Sequence, residues 1–296
     1  SDVYKRQTYS FQIDLNTSFT GEDSLDISLD AGNSNTQGTA EFDGNSTTSD
    51  SLQVDGVSYT FPLGDKTTVI VGDNTDGSAL FTTACVYGGP GDTLDACGNV
   101  NAAVDNGGVM AGAAYDFGNG LTAAVGYAGQ EGDVANEEGI DAYGFNVAYT
   151  ADTYGLSFTL GFQEDGASIP ATQDNMGVDT YYALNAYYTP DAEGLPSISV
   201  GYEIGEDESV VGDADGLTSF FVGLGWDEVG PGELGVAMGT KTPTVEDTDA
   251  QYMYEAYYAY PINDGMTITP LVYVKDVSTA NTDDTTGVMV KTSFSF

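Results

Sequence analysis

The sequence contains no histidine, and its 296 residues include only 6 Lys plus Arg against 46 Asp plus Glu. The formal net charge of -40 excludes a nucleic-acid partner, because neutralising phosphates draws on the Lys and Arg that are missing. Arginine occurs once, as Arg6 in the opening SDVYKRQ; beyond that stretch Lys66, Lys241, Lys275 and Lys291 are the whole basic complement. Without histidine there is no triad or imidazole relay. Neither a GxSxG elbow nor a Walker-type loop is present, so no enzyme activity is expected. Acids are so abundant that carboxylate pairs could be drawn anywhere, and they carry no catalytic signal. No cofactor or metal site is expected: DNTDG (73–77) opens like a calcium loop, but the later bidentate acid is not at the required spacing.

Long apolar runs are absent too, and no stretch approaches the roughly 18 residues of a membrane-spanning helix. This leaves strand-built membrane proteins open, since a barrel strand needs only about 9 to 11 residues with apolar side chains at alternate positions. No signal-peptide pattern is visible. The opening SDVYKRQ fits neither a signal nor the strand pattern that follows, so residues 1–7 read as a junction segment, set apart from a barrel over 8–296.

What the chain does have is a two-residue period, sustained from Thr8 to Phe296. TYSFQIDLNTSF places Tyr9, Phe11, Ile13 and Leu15 opposite Ser10, Gln12, Asp14 and Asn16. TYGLSFTLGF places Tyr154, Leu156 and Phe158 opposite Ser157 and Thr159. Apolar spacing of three and four, which a helix would need, is nowhere sustained. About fifteen strands of barrel length can be counted.

Alternation alone does not separate a barrel from a sandwich, but connection length does. Read backward from Phe296, long polar connections such as VSTANTDD alternate with tight ones such as PINDG, TADT, FGNG and PLGDK. Short turns on one rim and long loops on the other describe an antiparallel up-and-down transmembrane β-barrel with its turns in the periplasm. If the last strand ends at that rim, the strand from Thr8 starts at the other, so an even closure predicts a preceding strand and about sixteen in the complete protein. Tyrosines cluster beside the turns, in YYALNAYYTP and YMYEAYYAYP, as an interfacial aromatic girdle would place them. Asp14, Glu203, Glu255, Lys275 and Lys291 fall on the polar face and are expected to point into the lumen.

The largest connection, 73–107, carries the only cysteines, Cys85 and Cys97. In a chain exported through an oxidising periplasm the two are expected to form a disulfide. A stapled loop longer than roughly 12 to 15 residues is expected to have a function. The expectation is that it folds inward and narrows the lumen. Asp73, Asp76, Asp92, Asp95 and Asp105 lie in it with no Lys or Arg between them, so carboxylates at the constriction would favour cations.

The chain closes with GVMVKTSFSF, in which Val288, Val290, Phe294 and Phe296 share one face. With the alternating strands and the two-cysteine loop, this ending resembles the Gram-negative porins, and more narrowly cyanobacterial porins related to the carbohydrate-selective OprB type. The resemblance implies that Val288, Val290, Phe294 and Phe296 form a signal read by the barrel assembly machinery. It further implies a homotrimer in outer-membrane lipid that passes small solutes and inorganic ions, with iron or sugars among the family's cargoes. Cyanobacterial members begin with a surface-layer-homology domain, which this sequence lacks, and general porins set an arginine ladder against acids, which it also lacks. Thr292 stands where the ending usually has an apolar residue. The leading reading is a cation-preferring diffusion channel. The alternative is an acidic secreted β-sandwich surface protein or adhesin without a channel.

Overall fold

The computed structural model describes residues 8–33, 41–42, 51–104, 107–130, 134, 139–164, 178–206, 216–276 and 284–296. These form sixteen strands: β1 (Ser10–Thr17), β2 (Ser24–Gly32), β3 (Gln53–Pro62), β4 (Thr67–Asp73), β5 (Val109–Gly118), β6 (Leu121–Gly129), β7 (Asp141–Thr150), β8 (Tyr154–Glu164), β9 (Val178–Tyr188), β10 (Ser197–Glu206), β11 (Gly216–Val229), β12 (Gly232–Thr240), β13 (Thr244–Val245), β14 (Tyr252–Asn263), β15 (Met266–Lys275) and β16 (Thr285–Phe294). Each long strand pairs antiparallel with its chain neighbours in one unbroken meander, while the two-residue β13 lies beside β11. The chain is therefore an all-β, up-and-down barrel sheet of fifteen long strands and one short one. Sequence periodicity cannot register an element as short as β13.

The connections alternate as the sequence does. One rim carries 18–23, 63–66, 119–120, 151–153, 189–196, 230–231 and 264–265; the other carries the long connections, including 33–52 and 74–108. The tightest turn shows its chemistry: Asn119 and Gly120 take φ of 56° and 82°, the paired left-handed conformations of an Asn-Gly hairpin.

Register aligns equivalent residues into rows around the sheet. Val147, Phe158, Leu184 and Tyr202 are paired in sequence across β7 to β10 and are all exposed on the outer face. One residue along, Asn146, Thr159, Ala183, Glu203 and Ser219 form a row across β7 to β11, and each is at most 2 % exposed. The sheet is thus inverted relative to a water-soluble sandwich, with large apolar groups outside and small or polar ones buried within. Apolar side chains outside suit lipid, and aromatic ones gather at the short-turn rim, where Tyr149 packs near Tyr154 and Tyr115 near Phe117.

At the end of the chain Val288, Val290, Phe294 and Phe296 are exposed on the outer face, and Met289 is buried on the inner one. Among the described residues β1 and β16 are the two edges of the sheet, and no backbone pairing joins them. The junction segment 1–7, and the expected strand before Thr8, lie outside the described residues.

Candidate functional site

Residues 74–104 of the connection 74–108 lie against the inner face of the sheet as a hairpin with two arms. Its outgoing arm is hung from the wall by its backbone amides: Thr82 N donates to Asn146 Oδ1 at 2.9 Å, Ala84 N to Ser157 Oγ at 2.8 Å and Val86 N to Ser199 Oγ at 3.0 Å. The acceptors step from β7 to β8 to β10, so the arm runs around the wall. This explains why polar residues occupy those inner positions: a loop has no ladder of its own, and its buried amides need partners.

At the tip, Tyr87 packs on Phe221 and Tyr257 and donates its hydroxyl to Glu255 Oε1 at 2.7 Å. Burial, reinforced by the Glu255 charge, pushes the Tyr87 hydroxyl far above the usual phenol range, so it remains a donor. Gly89 and Gly91 press against the Glu255 carboxylate so closely that a Cβ on either would overlap it. The chain then reverses through Cys97 and Gly98, whose φ values are 51° and 78°. A disulfide joins Cys97 to Cys85 across the base of the tip. Closing a ring of about this size removes roughly 3 kcal/mol of unfolded-chain entropy on the loop-closure account.

The return arm is fixed by the opposite polarity as well as the same one. Asn185 Nδ2 donates to Cys97 O at 2.8 Å and Ser219 Oγ to Gly98 O at 3.2 Å. At Gly201 a Cβ would collide with the Cys97 carbonyl, so only glycine lets the arm sit this close. Glu203 is the strongest anchor: its carboxylate accepts from Asn101 N, Ala102 N and Asn101 Nδ2 at 2.8–3.1 Å, with Ser219 Oγ near at 3.4 Å. A carboxylate that is 1 % exposed persists because these donors replace the water it lost.

A second connection also reaches inward. Glu41, from the stretch between β2 and β3, is fully buried, ion-paired with Lys275 of β15, and accepts from Thr93 N and Thr93 Oγ1 at 3.1 and 2.8 Å. Phe42 beside it packs on the apolar cluster formed by Tyr87, Leu94, Met253, Leu271 and Met289. The wall, the stapled loop and the β2–β3 connection therefore meet at one buried pair.

The expected site residues separate into three groups. Asp92 and Asp95 are exposed on the loop tip, and Asp73 is exposed at the end of β4. Asp76 turns back on its own chain, accepting from Ser78 N at 2.9 Å and Ser78 Oγ at 2.6 Å, which is a turn-forming role. Asp105 lies outside the described residues. Of the inner-face charges, Asp14 and Lys291 are exposed, whereas Glu203, Glu255 and Lys275 are buried beneath the loops and hold them instead of lining open water. Among the described residues no group of three His, Cys, Asp or Glu is placed to hold a metal ion. Sequence reading missed Glu41 and the wall acceptors Asn146, Ser157 and Ser199. Parity put those three on the inner face, and an excess of hydrogen-bonding residues there was the available signal; nothing local marked Glu41.

No protein-family profile matches the chain, and no curated protein matches it in sequence. Solved structures match it in fold. The anion-selective porin from Comamonas acidovorans superposes with a TM-score of 0.61 at 14% identity, over 97% of this chain and 89% of that one. The chain has the fold of a porin. A loop-deletion variant of OmpT, an outer membrane protein of Vibrio cholerae, gives 0.60 at 12% identity, covering 96% of this chain and 89% of that one. A variant of the Rh. blastica porin gives 0.57 at 12% identity, covering 98% and 90%. At these identities the likeness establishes the porin fold, and the side chains must carry the argument about function.

Proposed function

We propose that this chain is a passive diffusion channel of a Gram-negative outer membrane, passing small hydrophilic solutes and inorganic ions with cations preferred. The observation that carries this reading is the stapled hairpin 74–108 bonded along the inner wall from β7 to β14. Barrels of about sixteen strands leave an aqueous lumen, and a chain segment fixed inside one narrows it. Exposed Asp92 and Asp95 on that segment supply the charge that concentrates cations and repels anions. The Comamonas porin is described as anion-selective, so the sign of selectivity is a property of side chains and not of the fold. The same reading extends to a homotrimer in outer-membrane lipid, to recognition of Val288, Val290, Phe294 and Phe296 by the barrel assembly machinery, and to a relationship with the cyanobacterial porins. Reconstitution in planar bilayers under a KCl gradient tests the core of it. Reversal potentials of cation sign are expected, reduced in a double Asp92→Asn, Asp95→Asn variant. Absence of any conductance from protein that shows heat-modifiable migration would sink the channel reading and favour a purely structural surface protein.

A further inference from the structure

We propose that Glu255 is a proton-binding site that docks the loop tip: with a proton on its carboxyl it holds Tyr87 to Gly91 against β14, and on ionising in alkaline solution it releases them. The consequence for conduction rests on the channel reading above; the proton site itself does not.

Among the described residues three buried carboxylates touch the hairpin, and their partners differ. Glu203 accepts from two backbone amides, an asparagine amide and a serine hydroxyl, while Glu41 is ion-paired with Lys275 and accepts twice from Thr93. Both are supplied with donors as anions. Glu255, at 3 % exposure, accepts from the Tyr87 hydroxyl at Oε1, and its Oε2 has no hydrogen-bond partner among the described residues. A buried carboxylate oxygen without a donor has given up its hydration for nothing, which disfavours the charged form.

The groups facing Glu255 tilt the balance the same way. The loop contributes Tyr87 and Asp95, the β2–β3 connection Glu41, β15 Lys275 and Tyr273, and β14 itself Tyr257. One ammonium thus stands among three carboxylates, and it is already engaged with Glu41. A Cβ at Gly91 would overlap Glu255 Oε2 and stand 3.1 Å from Glu41 Oε2, so the two acids converge on one glycine. Either a proton or a metal cation could relieve their repulsion. The backbone decides between them: Gly89 lies against Oε1 and Gly91 against Oε2, which leaves no space for a hard cation and its roughly six oxygen ligands, whereas a proton needs none.

Tyr87 keeps its proton far above the usual phenol range, so it donates to Glu255 in both forms of the acid. With the tip undocked, Glu255 faces lumen water and ionises near the ordinary glutamate value of about 4.3. The docked state therefore holds a proton that the undocked state has given up. By linkage, docking is strongest below that value and is lost as the pH rises toward that of the docked acid.

The test uses the full chain with its disulfide intact. Infrared difference spectra of the unmodified protein against Glu255→Gln at neutral pH should contain the carbonyl stretch of a protonated carboxyl, and the band should vanish on alkalinisation. Single-channel records of the unmodified protein should gain gating noise and subconductance states as the solution goes from neutral to alkaline. Glu255→Gln, whose amide offers Tyr87 an oxygen and carries no charge, should lose that response. Tyr87→Phe, which removes the donor that favours the ionised form, should move it to higher pH. Absence of the band, as a carboxylate bound to a metal cation would give, or an unchanged alkaline response in Glu255→Gln would each overturn the proposal and leave the channel standing. Absence of conductance at every pH would overturn the channel reading and the electrical response with it, and the infrared band would still decide the proton site.

Discussion

Asp23 shows how much one side chain can organise a turn. It closes the connection 18–23 by accepting from Ser18 Oγ at 2.6 Å, Phe19 N at 3.0 Å, Thr20 N at 2.7 Å and, from β3, Tyr59 Oη at 2.6 Å. The Ser18 and Tyr59 hydrogen bonds, with help from Thr20, hold its carboxyl well below the usual carboxylate range. A depressed folded value means that ionised Asp23 stabilises the native state above the unfolded pKa near 4. That contribution fades as the pH falls below it. The apparent melting temperature of the unmodified protein, followed by heat-modifiable migration, should therefore fall toward that of Asp23→Asn on acidification. An equal difference between the two proteins at neutral and strongly acidic pH would contradict this. The stretch TGED (20–23) carries turn residues, Gly and Asp. It could not announce that the acid closes the turn, because one of the donors, Tyr59, comes from a different strand.

At the scale of elements, the stapled loop is positioned by the wall more than by its own chemistry. Its length and its cysteines were plain in the sequence, and so was the inner-face parity of Glu203 and Glu255. What parity could not convey is that a loop would cover those acids. A carboxylate facing a lumen and one facing two backbone amides occupy the same alternation. Glu41 was less legible still, because it belongs to a polar connection without period and gains meaning only from Lys275 on a strand far along the chain. The Glu203 anchor yields a direct expectation. Glu203→Gln puts an amide donor where Asn101 N, Ala102 N and Asn101 Nδ2 need acceptors, and losing a buried partner of this kind costs about 1–3 kcal/mol. The cost should fall on the loop and not on the strands. Single-channel records of Glu203→Gln should show more gating noise and more subconductance states than the unmodified channel, with heat-modifiable migration retained. Quiet, single-level openings would show that the return arm is held elsewhere.

For the whole molecule the issue is which solvent surrounds the sheet. The long-short alternation of connections revealed the up-and-down order, because every second turn must lie on the same rim. The edges at β1 and β16 are a matter of backbone pairing that side-chain period does not encode. Alternation was equally compatible with a sandwich; the inverted wall is not, since the bulky face is outside and the covered face is small and polar. The cost of a charge on that outer face measures the solvent directly. Leu184 is half exposed at the middle of β9, and Tyr188 is equally exposed at its short-turn end. In lipid, arginine at mid-depth of a barrel costs roughly 2–4 kcal/mol, falling to about 0–1 near the interface. In water neither site would cost much, because exposed substitutions usually stay within about 0.5 kcal/mol. Urea titrations of Leu184→Arg and Tyr188→Arg in phospholipid vesicles should accordingly show a marked loss of unfolding free energy at 184 and little at 188. Equal and small effects at both positions would mean that this face meets water, and the apolar belt would then need another explanation than a membrane.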